Sequence, residues 1–441
     1  MKRDEPRGLS VVGQPTMSFA DPAPDTGLSV RQYYVMIGLG AFVTTLCQPG
    51  VIGRLPLRLF LKDRLRLSAQ RVATFTFLTT FAWNVKPIAG ILSDAFPLFG
   101  TRRRHYMMIS AALAALCWFA IGVIPSTYQW LVVGAFGANA FMMVASTVMG
   151  GLMVEAGRKF RISGRVTSLR QGVQSAVSVG NGLLGGYLAT VALGWTVGIA
   201  TALLLVLSIA TLFVLTEPAH AEWRRDVLGH ARQQLRTLLR SGPLWAAGLF
   251  LALVYVSPGF QTPLLYLQTG VLTFSPSYVG LMETIEGAAG FAGAALYAVL
   301  CRRFALRELL IAAIGVNALG TLLYLVYAYQ TAPAVHALGG LVAMWSELAL
   351  MDMAVRATPR GCESLGFSLM MSARNLALGG SDIIGSWLLD SQGWTFPQLV
   401  WLNAGTTALV LVFLPFLPRV LMDRKEGESV SDSVDAPAPC C

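Results

Sequence analysis

Charge is what this sequence has least of. Asp, Glu, Lys and Arg together make up 13% of its 441 residues, while 55% are hydrophobic; soluble domains carry roughly 25% charged residues. That deficit excludes a soluble enzyme, a disordered scaffold or a nucleic-acid binder as a description of the whole chain. Cysteine is scarce and scattered. Cys47, Cys117, Cys301, Cys362, Cys440 and Cys441 form no CxxC pair and no cluster with histidine, so neither a disulfide framework nor a zinc site is implied. The histidines His105, His220, His230 and His336 fall in or near connections between apolar runs, with no nucleophile–base constellation, which argues against an integral membrane enzyme. No Gly-x-x-x-x-Gly-Lys-Ser/Thr segment is present, so an ATP-driven pump is disfavoured and no cofactor is implied.

Apolar runs of membrane-spanning length, by contrast, fill the chain. Stretches of about 20 mostly apolar residues, the length a helix needs to cross a bilayer, occur at 34–60, 72–92, 106–124, 130–153, 169–192 and 196–215, and again at 244–267, 278–300, 309–327, 335–355, 365–389 and 397–417. The expected architecture is an all-α polytopic membrane protein of 12 transmembrane helices in two six-helix bundles, at 33–216 and 243–418, joined by a basic linker at 217–242. Two similar halves place a substrate site between them. The polar ends, 1–32 and 419–441, read as cytoplasmic tails, and lipid on Cys440 or Cys441 would add little to a chain anchored by so many spans.

The 33 Lys and Arg against 23 Asp and Glu give a net charge of +10, and its placement matters more than its size. Basic residues cluster after even-numbered spans, at Arg102–Arg104, Arg158–Arg165, Arg224–Arg240, Arg302–Arg307 and Arg356–Arg360. The connections after spans 3, 5, 7, 9 and 11 have none. The positive-inside rule then puts both termini in the cytoplasm, with the first outer connection (Lys62, Arg64, Arg66, Arg71) as the exception. The excess is therefore a topology signal and not a nucleic-acid footprint. With no organelle address, the cell membrane is expected.

Several blocks carry a family resemblance. Trp83 to Asp94 (WNVKPIAGILSD), continuing through Pro97, Gly100 and Arg102-Arg103-Arg104, is similar to a lengthened major facilitator loop between helices 2 and 3. Pro263 to Leu267 (PLLYL) leading to Leu272 to Pro276 (LTFSP), Leu296-Tyr297 with Arg307-Glu308-Leu309-Leu310, and Ala357 to Glu363 (ATPRGCE) running to Ser372-Ala373-Arg374-Asn375 follow in order. Together they resemble the folate-biopterin transporters. The resemblance implies a major facilitator fold and carrier-mediated movement of a folate or reduced pteridine, coupled to a proton gradient; a monomer is expected.

Ionisable groups inside spans cost a few kcal/mol each unless paired or turned to a wet cavity, so they mark the candidate site. Arg54 and Arg58, four apart on the first span, either snorkel at the outer interface or face the cavity to receive folate carboxylates. Arg170, Gln174, Ser178 and Asn181 form one stripe on the fifth span, suited equally to interhelical contacts and to a cavity wall. Glu283, Glu286, Glu347 and Asp352, with Arg374, Asn375 and Asp382, concentrate in the second half; a carboxylate there can take two hydrogen bonds from a pterin ring, or a proton. An Arg374–Asp382 or Arg374–Glu347 pair could instead only lock helices together. Asp94 with Arg102, Arg103 and Arg104, together with Lys86, Glu155, Arg158 and Glu363, are read as coupling or latch residues at helix ends. Three functions remain open: a folate or pteridine carrier, a carrier of another organic anion, and a non-transporting membrane assembly factor. Flux measurements and co-purification with a membrane complex separate them.

Overall fold

The computed structural model describes residues 29–124, 127–217, 225–359, 362–418 and 422. Arg224, Arg360, Cys440, Cys441 and most of both expected tails lie outside the described residues, as do the side chains of Asp94, Arg158 and Glu363. In the first half, span 1 is built from α1 (Val30–Leu46) and α2 (Arg54–Leu59), and span 2 from α3 (Ala69–Thr80) and α4 (Lys86–Ala95). Then come α5 (Arg104–Val123), α6 (Tyr128–Phe160), α7 (Ser163–Leu188) and α8 (Leu193–Val214). The linker folds into α9 (Arg225–Arg240). The second half consists of α10 (Gly242–Tyr255), α11 (Gln261–Tyr266), α12 (Pro276–Leu300), α13 (Leu306–Thr321), α14 (Ala332–Ala357), α15 (Glu363–Ser391) and α16 (Phe396–Leu409).

The spans are of two kinds. Among the described residues six cross as long unbroken apolar helices: α5, α6, α8, α14, and α13 and α16 with their 3-10 extensions. Their outer faces suit lipid: on α8, Phe213 is 76% and Trp195 67% exposed. The others are interrupted (α1/α2, α3/α4, α10/α11) or are long helices that carry charged residues (α7, α12, α15), as α14 also does. These interrupted and charged spans supply the contacts between the halves, chiefly α3 with α15 and α7 with α12.

Interruptions are tolerated where freed backbone groups find partners, a requirement in lipid. Around Pro49, the Cys47 carbonyl accepts from Trp118 Nε1 at 2.8 Å and the Val51 carbonyl from Asn181 Nδ2 at 3.0 Å. Around Pro258, the Pro258 carbonyl accepts from Asn403 Nδ2 at 2.9 Å and the Gly259 amide donates to the Ser381 carbonyl at 2.9 Å. Asn181 thus serves a helix break, the interhelical alternative for its stripe.

The halves repeat each other at these breaks. α2 runs into a π-helical turn at Phe60–Arg64 and α11 into one at Leu267–Val271. Pro56 matches Pro263; Arg66 (φ 50°) matches Thr273 (φ 53°), both left-handed without being glycine; and Ser68 matches Ser275 as the next N-cap. A shared backbone exception that costs energy in both halves is stronger evidence of repetition than shared apolar content.

Each half has its own core, and a third cluster, including Leu55, Leu59, Leu265, Phe274 and Met282, joins them at the π-turn end. There α7 and α12 approach backbone to backbone: a Cβ on Gly280 would lie 2.3 Å from the Gly182 carbonyl oxygen. Nearer the linker end, Gly172 on α7 and Gly287 on α12 have open space beside them. Tails of lipid are as apolar as leucine, so close packing of small residues, not water exclusion, holds such a contact. α7 and α12 are therefore closed on each other at the π-turn end and part towards the linker end.

Candidate substrate-binding site

Two charged regions lie between the halves. The first is on the linker side of the interface. Tyr255 at the end of α10 donates its hydroxyl to Glu347 Oε2 on α14. Arg374 on α15 donates to the same oxygen from Nη2 at 2.7 Å and Nε at 3.2 Å, while its guanidinium lies 4.9 Å from the centroid of the Tyr255 ring. Arg374 Nη1 donates to Asn375 Oδ1 at 3.1 Å. The Arg374 and Glu347 side chains stay 22% and 27% exposed, so this pair lines an opening and is not a sealed lock. All contacts to Glu347 fall on Oε2, leaving Oε1 free among the described residues.

Across the interface, the Ser372 hydroxyl donates to the Asn84 carbonyl at 3.0 Å, so Lys86 on α4 and Arg374 each sit two residues from one contact between the halves. Lys86 Nζ is 3.5 Å from Ser146 Oγ and 5.6 Å from the Trp83 ring centroid. Arg170 on α7 is within electrostatic reach of Lys86. Among the described residues its Nη1 meets the Met153 sulfur, at 3.9 Å, and its buried Nε has no hydrogen-bond partner. Neither cation pairs with a carboxylate among the described residues. Gln174, one turn along α7, is half-buried beside them.

The second region lies towards the π-turn end. Arg54 Nε on α2 is 3.4 Å from Glu283 Oε1 on α12, an ion pair between the halves. Arg58 is within electrostatic reach of Glu283 and Asp382. Asp382 on α15 accepts from the Thr262 amide at 2.9 Å and from its hydroxyl at 2.6 Å, capping the start of α11. Glu286, one turn beyond Glu283, meets His336 Nδ1 at 2.8 Å.

A family model described as the BT1 family matches residues 50–436. The chain belongs to the BT1 family. Its relatives include the "Folate-biopterin transporter" of Synechocystis sp., 28% identical over 414 residues, covering 88% of this chain and 83% of the relative. "Folate transporter 1" of Plasmodium falciparum is 21% identical over 388 residues, covering 83% and 76% of the two chains. Among solved structures, the nucleoside transporter NupG superposes with a TM-score of 0.69 at 12% identity, covering 87% of this chain and 99% of NupG. A D-xylose-proton symporter gives 0.63 at 15% identity, covering 91% and 99%. This BT1-family chain thus has the major facilitator fold and is a multi-pass membrane protein.

Placed on this fold, the residues read from sequence divide into groups. Glu347, Arg374 and Asn375 meet one another; Lys86, Arg170 and Gln174 sit across from them. Arg54, Arg58, Glu283, Glu286 and Asp382 form the second group. The Arg374–Asp382 pairing does not form: eight residues on one helix are about 12 Å apart along its axis, and Asp382 is spent on Thr262. Arg102, Arg103 and Arg104 present their backbone amides to the Glu217 carboxylate at 2.8, 2.9 and 3.0 Å, which caps α5. Glu155 accepts from the Tyr33 hydroxyl at 2.6 Å. Asp352 is held by Arg356, at 2.9 and 2.8 Å, and by the Tyr297 hydroxyl at 3.1 Å.

His336 corrects the sequence reading of the histidines. It lies near a connection but inside a span: α14 starts at Ala332 with Pro333 in its first turn, which puts His336 in the second turn, 4% exposed and against α12. Tyr327 and Gln268, likewise unremarked in the sequence, complete its surroundings. A lone histidine one residue inside an apolar run was the available signal.

Proposed function

We propose that this BT1-family chain is a monomeric secondary transporter of folates or related pteridines in the cell membrane, proton-coupled and working by alternating access between its halves. The observation that carries the substrate reading is a pair of cations, Lys86 and Arg170, that meet no carboxylate among the described residues and lie opposite the Tyr255–Glu347–Arg374 cluster. A folate presents complementary chemistry. Its glutamate tail supplies two carboxylates for the two cations, and its pterin edge supplies N–H donors for the free Glu347 oxygen, with the Tyr255 ring as a stacking surface. The names of the relatives support the same substrate class.

Uptake of labelled folate by proteoliposomes tests this reading. Lys86→Ala and Arg170→Ala should each raise KM for folate by about tenfold, the equivalent of ~1.4 kcal/mol, with a smaller change for a neutral pterin. Equal effects on both substrates would remove the tail assignment, and no flux of any pteridine by the unaltered protein would remove the function. A carrier of another organic anion is the second reading, because two cations select charge before they select a ring. Competition by unlabelled non-pteridine anions against folate distinguishes the two.

A further inference from the structure

The second charged region has one carboxylate too many. From the first half, α2 contributes Arg54 and Arg58; from the second, α12 contributes Glu283 and Glu286 and α15 contributes Asp382. Two guanidinium groups face three carboxylates. Asp382 has both oxygens on Thr262 and Glu283 has Arg54, so Glu286 is left beside His336. The remaining groups around it are the phenols Tyr324 and Tyr327, which follow α13.

The hydrogen bonds around His336 run in one direction. Gln268 Nε2 donates to the Tyr327 oxygen at 2.6 Å, so the Tyr327 proton points to His336 Nε2 at 2.9 Å. In the tautomer this favours, Nε2 accepts and Nδ1 carries the imidazole proton towards Glu286 Oε2 at 2.8 Å. A further proton can be taken at Glu286 without breaking any of these bonds, because its carbonyl oxygen still accepts from Nδ1. Uptake brings the cluster to neutrality. Access fits this role: the Glu286 side chain is 44% exposed while His336 is 4% exposed, so the carboxyl faces the space between the halves and the imidazole supports it from behind.

We propose that Glu286, backed by His336, is the site that binds the proton driving this carrier. The inference rests on the transport reading and adds a proton site to it. Opening the π-turn end must draw α2 from α12 and remove Arg54 from the carboxylates, which favours protonation of Glu286 in that state. Closure returns Arg54 and favours release towards the linker end. Proton affinity that differs between two states is what coupling requires.

The test compares two fluxes in proteoliposomes: folate accumulation driven by a pH gradient, and gradient-free exchange of labelled for unlabelled folate. Glu286→Gln should lose gradient-driven accumulation, keep exchange and show a flat pH profile. His336→Gln should keep exchange and displace the pH profile. Gradient-driven accumulation by Glu286→Gln with an unaltered pH profile overturns the proposal. If Glu286→Gln loses exchange as well, Tyr327→Phe decides. Without the phenol, Nε2 loses its partner at 2.9 Å and keeps only the Gln268 amide at 3.5 Å, so the pH profile must move with exchange intact; an unmoved profile overturns the proposal. Absence of all folate flux in the unaltered protein would instead overturn the transport reading itself.

Discussion

The two charged regions between the halves are built in opposite ways. On the linker side Lys86 and Arg170 have no carboxylate partner among the described residues, beside a Glu347–Arg374 pair that is already balanced. On the π-turn side three carboxylates exceed two guanidinium groups. A buried imbalance is costly, and each is corrected most directly by what it lacks: an anion at one, a proton at the other. The comparison teaches that, under the proposed function, charge count separates the substrate site from the coupling site more clearly than distance does.

The largest expected effect sharpens that division. Arg374→Lys keeps the charge but loses the fork that delivers Nε and Nη2 to one Glu347 oxygen while the guanidinium lies over Tyr255. Charge-assisted hydrogen bonds are worth ~1.5–3 kcal/mol when well shielded, and partial exposure places this one at the low end, so kcat/KM should fall by about tenfold or more. Folate and neutral pterin should both suffer, and exchange should fall with accumulation. Lost accumulation with intact exchange would move the proton site to Glu347 and break the comparison.

Gly280→Val acts on access and leaves the charges alone. Its Cβ would be 2.3 Å from the Gly182 carbonyl and 2.6 Å from the Gly186 Cα, with backbone on both sides and no flexible side chain to yield. The closed π-turn end should become unfavourable, shifting the population towards a state open there. A cysteine placed at Leu55, 2% exposed when that end is closed, should then react faster with a thiol reagent. An unchanged rate would mean that α7 and α12 do not form the closing contact.

Much of this was legible in the sequence, and what was not has physical reasons. Apolar length and arginine placement mark the halves and the linker because a bilayer enforces both. In-span charge marks Glu283, Glu286, Glu347 and Arg374 because lipid makes them expensive. Partnership is set by tertiary contacts and is not written in spacing: Asp382 goes to Thr262, on α11, and Glu217 goes to the amides that start α5. The histidine lay hidden because apolar length alone put the start of span 10 at 335, which left His336 at its margin, whereas α14 begins earlier and buries it. The repeat was obscured because π turns and left-handed residues at Arg66 and Thr273 are properties of backbone, shared by side chains as unlike as Arg and Thr.

Asp382→Asn carries the smallest expected effect and tests the charge count itself. The substitution is nearly isosteric, and its amide oxygen can still accept from the Thr262 amide, so α11 should lose only part of its cap, about 1 kcal/mol or less. The Thr262 hydroxyl can turn to accept from the new amide nitrogen, which limits the loss further. Electrostatically the change is larger: two guanidinium groups now face two carboxylates, and a cluster already neutral attracts a proton less strongly. Gradient-driven folate accumulation should therefore reach its half-maximum at lower pH, with exchange and KM near their original values. A shift to higher pH, or none, would show that Asp382 does not act electrostatically on Glu286 and that the excess carboxylate must be counted elsewhere.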